Sequence, residues 1–449
     1  MDVLLLSRLQ FALTIAFHYL FPPLSIGLGV ILVIMEAAYL KTKSPLYRRM
    51  TRFWVGVFGL IFAMGVATGI VMEFQFGTNW STYSRFVGDV FGSALAAEGI
   101  FAFFLESGFL AILLFGWGKV RDGTHFLATV LVCVGAHFSA VWIVVANSWQ
   151  QTPAGHHIVQ HGEGVRAEIT DFWALVFNPS SMDRLSHVIL GAWQAGAFLV
   201  LSVGAYYLLK HRHEDFAKAS MKIALVVAVI GSVGQLVTGH SSALGVAENQ
   251  PAKLAAMEGH YAESAAADLY MFGWVDEQAE QVRYGVKLPR MLSWMVHGDR
   301  QRAIVGLSAF ARGDRPPVNA VFQAYHAMVG IGTGLIGLSV VGLLMWWRGA
   351  LWRARWLLGV FVIAVLGPQA ANQLGWLVAE LGRQPWVVYN LLRTSDAFSP
   401  VLSSSDVAAS LVMFLVVYAL LFALFIYLLD HKIRKGPADG PAESGRHLA

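Results

Sequence analysis

Nine long apolar segments constrain the fold of this 449-residue chain more than any other feature of its sequence. Each is long enough to cross the ~30 Å hydrocarbon core of a bilayer as a helix. Only 13% of the residues are charged, against ~25% in a typical soluble protein. We therefore predict an all-α polytopic membrane protein, with spans at residues 9–40, 53–73, 94–117, 125–147, 186–209, 219–239, 319–347, 356–380 and 406–429.

The loops between these segments differ in their content of Lys and Arg. If successive loops alternate sides, one set holds 18 basic residues and the other holds 6, leaving aside the long segment 240–318. The positive-inside rule then predicts an N-terminus outside the cell and a C-terminus in the cytoplasm. The net charge of +4 requires no nucleic-acid partner, because surplus Lys and Arg can contact anionic lipid headgroups.

The apolar pattern predicts four parts of the chain. Residues 1–239 would hold the first six membrane helices, and residues 319–430 the last three. Between them, residues 240–318 mix charged and aromatic residues without a spanning run, which predicts an extracytoplasmic loop. Residues 431–449 are rich in Gly, Pro and charge, which is typical of a flexible tail. The single cysteine, Cys133, excludes an internal disulfide and a cluster held by several thiolates.

The run GWLVAELGRQPW at 375–386 places ionisable residues at the end of an apolar segment. Glu380 and Arg383 are three residues apart and so are neighbours on a helix surface, and Pro385 ends the helix. Such groups cost ~2.5–3.5 kcal/mol each at the centre of a membrane helix and often mark a functional site. Two interpretations remain open: an interfacial ion pair that caps the helix, or a carboxylate offered to a metal or a proton path.

Two further carboxylates, Glu98 and Glu106, lie on the third segment. In a regular α-helix they would be ~12 Å apart along the axis and ~80° apart around it. That spacing is consistent with two stations on one proton path. The first segment carries His18 within LTIAFHYLFPPL, which is either a ligand or a histidine hydrogen-bonded to a neighbouring helix.

His187 opens the fifth segment, and Met328 lies about nine residues into the seventh. Both positions are near the predicted outer face. A histidine nitrogen and a methionine sulfur form a ligand pair of low-spin haem iron. Met328 alone is more typical of core packing, because methionine fills membrane cores freely.

Several runs of the sequence resemble one family over nearly the whole chain. They are SRLQFAL before His18, ATGIVMEFQFGTNWS at 67–81, EGIFAFFLES at 98–107 and GWLVAELGRQPW at 375–386. Together they resemble the large, haem-bearing subunit I of cytochrome bd-type quinol oxidases. The resemblance implies a terminal respiratory oxidase of the bacterial cytoplasmic (inner) membrane. Such an enzyme oxidises ubiquinol or menaquinol at the outer face and reduces O2 to water, with protons taken from the cytoplasm and no proton pumping.

The resemblance implies three haems and their ligands. His187 and Met328 would be the axial ligands of a low-spin haem b. His18 and Glu380 would be ligands of two high-spin haems, one haem b and one haem d, with a b-type third haem as the alternative. Which of these two residues binds which high-spin haem stays open.

The remaining candidate residues take their roles from the same resemblance. Glu98 would lie beside the oxygen-reducing haem, and Glu106 would lie on a proton path from the cytoplasm that Ser139 and Asn147 help to line. The other candidates are Lys253 and Glu258 for quinol oxidation, Arg383 beside a haem propionate or Glu380, and Trp376 among the cofactor-binding residues.

The resemblance also implies partners and leaves some properties open. We expect a second polytopic subunit, subunit II, and the family also allows a small single-helix subunit. Residues 240–318 are short for the family's quinol-binding loop and resemble the short-loop, cyanide-insensitive group, and His326 stands where better-known members have arginine. Two rival interpretations are a haem-free proton-coupled transporter, which would favour paired repeats and broken helices, and a cytochrome b membrane anchor of a quinone dehydrogenase, which would need pairs of histidines.

Overall fold

The computed structural model describes residues 2–162 and 164–438, in which long helices dominate. Nine helical ranges in the described residues are long and apolar enough to cross a membrane, which confirms the prediction of an all-α polytopic membrane protein. These ranges are Val3–Thr42, Pro45–Thr78, Gly88–Phe115, Asp122–Gln151, Ser181–Leu209, Glu214–Asn249, Arg312–Trp347, Arg355–Leu381 and Ser404–Lys435.

The spans are built from helices that short helices and hairpins connect. In chain order the elements are α1 (Val3–His18), α2 (Pro22–Thr42), α3 (Pro45–Thr78), α4 (Ser81–Phe86), α5 (Gly88–Glu98), α6 (Phe104–Phe115), α7 (Asp122–Gln151), β1 (His156–His161), β2 (Gly164–Ile169), α8 (Phe172–Val176), α9 (Ser181–Leu209), α10 (Glu214–Asn249), α11 (Pro251–Glu258), β3 (Leu269–Asp276), β4 (Gln281–Leu288), α12 (Met291–His297), α13 (Val318–Trp347), α14 (Arg355–Ala364), α15 (Leu366–Leu381), β5 (Trp386–Val388), β6 (Leu392–Arg393) and α16 (Ser404–Lys435).

The first span is broken in the middle, although the sequence predicts one helix over 9–40. α1 ends at His18, and α2 begins four residues later at Pro22. Proline has no backbone N–H and cannot continue the hydrogen-bond ladder of α1, but it is well suited to the first turn of a new helix. The break places His18 at the end of a helix inside the membrane-spanning range.

The third span contains one π-helical turn at Gly99–Phe103, between α5 and α6. There the backbone N–H of Phe104 donates to the carbonyl oxygen of Gly99, five residues back. Glu98 and Glu106 therefore flank a π turn, and the ~80° offset of a regular α-helix does not apply to them. Such turns are frequent at functional sites.

Three antiparallel hairpins stand at the end of the bundle where α1 begins. The pairs are β1 with β2, β3 with β4, and β5 with β6. The apolar pattern did not predict them because they lie within loops. The predicted loop 240–318 begins inside α10, which continues to Asn249. The predicted tail 431–449 begins inside α16, and residues 439–449 lie outside the described residues.

α9 lies at the centre of the bundle, where α2, α10 and α14 pack against it. The close approach of α2 to α9 depends on Gly27 and Gly196. A Cβ added to Gly27 would lie 2.1 Å from the carbonyl oxygen of Ala192. A Cβ added to Gly196 would lie 2.3 Å from the backbone of Gly27. Small residues allow this kind of backbone contact between membrane helices.

A buried polar pair also joins α2 to α7. Glu36 and His125 are each 1% exposed, and Nδ1 of His125 lies 2.6 Å from Oε1 of Glu36. Nε2 of His125 donates to the carbonyl oxygen of Leu113 on α6. Because a buried ionisable group needs a partner, this pair fixes α2, α6 and α7 relative to one another.

We predict that Gly27→Ala destabilises the protein while Gly359→Ala does not. The added methyl group at position 27 meets backbone atoms of α9, whereas a Cβ at Gly359 meets nothing within 4 Å. Overpacking costs ~1–3 kcal/mol, and alanine in an open helical position gains up to ~1 kcal/mol over glycine. The midpoint of thermal unfolding of the purified protein measures both, and equal midpoints for the two variants would contradict the close approach.

Candidate functional site

Glu380 lies near the end of α15, within a set of polar side chains from α7 and α15. Its Oε1 accepts hydrogen bonds from Nδ2 of Asn147 at 3.0 Å and from Nε2 of Gln151 at 3.4 Å. Its Oε2 forms an ion pair with Arg383. The carboxylate is therefore held in one orientation from both sides.

Three basic side chains lie around this single carboxylate. Arg184 on α9 donates to Oδ1 of Asn147, and Arg383 donates to Oε1 of Gln150 at 2.8 Å. Lys253 on α11 donates to the side-chain oxygens of Gln151 and Gln250. Arg383 and Lys253 are only 3% and 4% exposed. We call Arg184, Lys253, Glu380 and Arg383 the cationic cluster, and its surplus of positive charge is suited to an anionic group.

The environment of Lys253 follows from the short turn after α15. A Cβ added to Gly382 would lie 2.8 Å from Cγ of Lys253, so the glycine leaves room for the lysine stem. Burial, together with the nearby charges of Arg184 and Arg383, lowers the pKa of Lys253 well below its usual range, and Glu380 opposes this shift. Lys253 is therefore a buried donor next to the cationic cluster and not a solvated surface residue.

His18 and His187 are held in the same way on different helices. Nδ1 of His18 lies 2.9 Å from Oγ1 of Thr68 on α3, and Nδ1 of His187 lies 3.1 Å from Oγ1 of Thr238 on α10. A glycine follows each threonine, and a Cβ added there would lie 3.2 Å from Cε1 of His18 or 3.3 Å from Cε1 of His187. Each ring is thus oriented through Nδ1, which leaves Nε2 for a ligand.

Met328 and Trp376 lie where α13 packs against α15. A Cβ added to Gly375 would lie 3.1 Å from Sδ of Met328, so this helix contact also has a glycine beside the candidate ligand. The next residue, Trp376, contacts the ring of Tyr19 at a centroid distance of 6.3 Å. α15 therefore connects the surroundings of Met328 with the end of α1 at His18.

These residues fit haem as the prosthetic group. Among the residues that the structure describes, no three His, Cys, Asp or Glu side chains come together for one metal ion, whereas haem iron takes one or two protein ligands. His18 and His187 each have one ring nitrogen fixed and the other free to ligate. The surplus charge of the cationic cluster suits the carboxylates of haem propionates.

Glu98 and Glu106 have different surroundings. Ser139 on α7 donates to Oε1 of Glu98 at 2.8 Å. Glu106 is 8% exposed, and its side chain lies against Gly135, where an added Cβ would be 3.2 Å away. Both carboxylates face α7. Asn147, which the sequence predicts on the same polar route, lies eight residues beyond Ser139 on α7, where it donates to Glu380.

Glu258 ends α11 and is 2% exposed. It accepts a hydrogen bond from the hydroxyl of Tyr325, while its Oε2 has no hydrogen-bond partner in the described structure. Burial raises the pKa of Glu258 to about 8. Next to this site, both ring nitrogens of His326 lie near backbone carbonyl oxygens, 2.9 Å from Phe322 and 2.7 Å from Tyr270, so His326 joins α13 to β3.

Known proteins resemble this chain over almost its full length. The family model described as cytochrome bd terminal oxidase subunit I matches residues 6–437. Cytochrome bd ubiquinol oxidase subunit 1 of Bacillus subtilis is 39% identical, covering 97% of this chain and 94% of that protein. Cytochrome bd-II ubiquinol oxidase subunit 1 of Escherichia coli is 37% identical, covering 98% of each.

A solved structure supports the same conclusion. The bd oxidase from Geobacillus thermodenitrificans has a chain that matches with a TM-score of 0.89 and 28% identity, covering 97% of this chain and 99% of that one. This match contradicts the two rival interpretations, a haem-free transporter and a dehydrogenase anchor. The chain belongs to the cytochrome bd terminal oxidase subunit I family, and it is a haem-bearing membrane subunit of a quinol:oxygen oxidoreductase.

Proposed function

We propose that this subunit oxidises quinol at the end of the bundle that carries the hairpins and reduces O2 to water within the bundle, with proton uptake from the cytoplasm and no pumping. The observation that carries the proposal is the matched setting of His18 and His187. Each ring is fixed through Nδ1 by a threonine, and the glycine after that threonine leaves room for the ring at Cε1. The positive-inside rule places the hairpins outside and the short Lys- and Arg-rich loops in the cytoplasm.

The ligand assignment comes from the family resemblance, and these settings support it. His187 and Met328 would hold a low-spin haem b, and both lie on helices that pack against α10. His18 and Glu380 would each hold a high-spin haem, one b and one d, with a b-type third haem as the alternative. Haem iron bound by these residues would supply electron transfer and oxygen reduction. Arg383, Lys253 and Arg184 would neutralise propionates, and Trp376 would pack between the two regions.

Lys253 and Glu258 would act on quinol from the two ends of α11. Glu258, with its pKa raised to about 8, can accept and release a proton near neutral pH. Lys253 is a buried donor that can orient a quinol oxygen. Protons for oxygen reduction would enter from the cytoplasmic side at Glu106 and reach Glu98, which Ser139 holds by a hydrogen bond.

The assembly would sit in the bacterial cytoplasmic membrane as a multi-pass complex. The family implies a subunit II partner, with quinol and O2 as substrates. α16 is the span with the smallest buried share, 11%, and its apolar side chains suit either lipid or subunit II. A small single-helix subunit could pack on the same kind of surface.

We predict that Met328→Leu removes or shifts the low-spin absorption band in the reduced-minus-oxidised spectrum. Leucine matches methionine in volume, so folding costs less than ~1.5 kcal/mol, but it lacks the sulfur ligand. Met345→Leu, farther along α13, is the matched control and should leave the spectrum unchanged. Identical spectra for Met328→Leu and wild type would remove the ligand assignment while leaving the oxidase family intact.

We predict that Glu106→Gln slows O2 consumption by ~10²-fold or more, the usual contribution of a positioned proton carrier. The haems should remain bound, because glutamine keeps the shape of the side chain. Glu214→Gln at the exposed start of α10 is the control and should retain full turnover. Oxygen-electrode rates together with haem content test this, and full turnover of Glu106→Gln would exclude the proposed path.

We predict that quinol oxidation becomes faster as the pH rises through about 8, because the Glu258 carboxyl accepts a proton only when it is ionised. Glu258→Gln should be slower by ~10²-fold and should lose this rise. Glu263→Gln, on an exposed position of the same loop, should retain it. The test is the rate of oxidation of a soluble quinol, measured as a function of pH. An unchanged profile in Glu258→Gln would exclude Glu258 as the proton acceptor.

A further inference from the structure

A pocket lies at the opposite end of the bundle from the cationic cluster. It has a volume of about 380 Å³, and it is lined by residues near the start of α3 and near the ends of α6 and α16. Three of its lining residues are cations, Arg52, Lys119 and Lys432, and none is a carboxylate. None of the residues proposed above for haem, quinol or protons takes part in it.

The positive charge of this pocket is not neutralised within the described part of the chain. Arg52, Lys119 and Lys432 have no ion pair there. Two carboxylates at this end of the bundle are engaged elsewhere: Asp122 bonds to Lys43, and Asp430 bonds to Arg434. No carboxylate lines the pocket, so a ligand can supply negative charge there.

The backbone of α3 holds Lys432 within the pocket. A Cβ added to Gly56 would lie 2.1 Å from Nζ of Lys432. The ammonium group therefore rests directly on α3, at a place that only a glycine leaves free. A lysine at the end of a membrane helix more commonly extends towards water, so this position favours a ligand inside the pocket.

Trp117 supplies a second, independent indication of a ligand. Its indole Nε1 is buried and has no hydrogen-bond partner in the described structure. The guanidinium of Arg48 lies 5.7 Å from the centre of its ring, which adds a further cation beside the pocket. A buried donor without an acceptor is costly. All the polar side chains of the pocket are donors, so the missing ligand must offer several acceptor oxygens.

The rest of the lining is apolar and reaches the outer surface of the bundle. Val55 and Leu114 form the wall, and Phe115 is 66% exposed. A small inorganic anion would leave this apolar surface unused. An anionic lipid uses both parts, because its phosphate meets the cations while its acyl chains follow the exposed apolar side chains.

We propose that this pocket binds the phosphate headgroup of an anionic glycerophospholipid from the membrane leaflet on the Lys- and Arg-rich side. Arg52, Lys119 and Lys432 neutralise the phosphate, and Trp117 donates a hydrogen bond to one of its oxygens. The acyl chains lie along Phe115 between the ends of α3, α6 and α16. This inference does not depend on the haem, quinol or proton assignments.

The test is a titration of the purified two-subunit enzyme with phosphatidylglycerol, followed by native mass spectrometry. The triple variant Arg52→Gln, Lys119→Gln, Lys432→Gln should bind this lipid about a hundredfold more weakly, at roughly fivefold for each charge removed. The matched control is Lys41→Gln, Lys210→Gln, Lys222→Gln, which removes three exposed lysines from the same end of the bundle. The control should bind as tightly as wild type.

Competitors separate the possible sources of phosphate. Phosphatidylcholine, which carries no net charge, and millimolar inorganic phosphate should not displace phosphatidylglycerol from the wild type. Displacement by inorganic phosphate would replace the lipid by a soluble anion and overturn the proposal. Equal weakening in both triple variants, or no retained lipid in the wild-type complex, would also overturn it. Should the triple variant fail to assemble, Lys432→Gln alone should weaken binding roughly fivefold.

Discussion

Arg184 and Arg383 carry positive charge into the interior of the bundle, where Glu380 is the carboxylate that opposes them. Taking an ion out of water costs several kcal/mol even after the protein relaxes. The amide groups of Asn147, Gln150 and Gln151 reduce that cost by accepting or donating hydrogen bonds. They leave an excess of positive charge, which a bound anion can offset. This constraint ties together α7, α9, α11 and α15, and it explains why a membrane bundle keeps so many polar groups at one end.

His18 and His187 show how a helix bundle can hold an imidazole ring in a fixed orientation. A threonine on the neighbouring helix fixes one ring nitrogen, and the glycine after it removes the side chain that would otherwise crowd the ring. Thr68–Gly69 and Thr238–Gly239 are the same dipeptide on two helices. The repetition suggests one physical solution used twice, since both an oriented imidazole and an open side are needed for ligation.

Much of the fold follows from the sequence because membrane spans depend on a long apolar run, and the nine ranges agree with the nine predicted segments. The break at Tyr19 and the π turn after Glu98 were missed, since both keep the apolar character of the segment. The ionisable candidates stood out because charge is rare in such a chain. Arg184 and the Gln150–Gln151 pair did not stand out in the sequence. Their role is visible only when the folded chain brings them near Glu380. Paired Thr–Gly dipeptides near the middle of apolar segments were a signal that could have been used.

The two ends of the bundle neutralise charge by different means, and loop length explains the difference. At the hairpin end the loops are long enough to fold over the helices, and they supply partners such as Asp314 for Arg393. At the other end the connections are short, as in residues 43–44 and 210–213, and offer few carboxylates. The cations from which the positive-inside rule predicts the orientation of the chain therefore have few partners in the described protein. Anionic lipid can supply the counter-charge there, so the residues that predict the topology include those of the proposed lipid site.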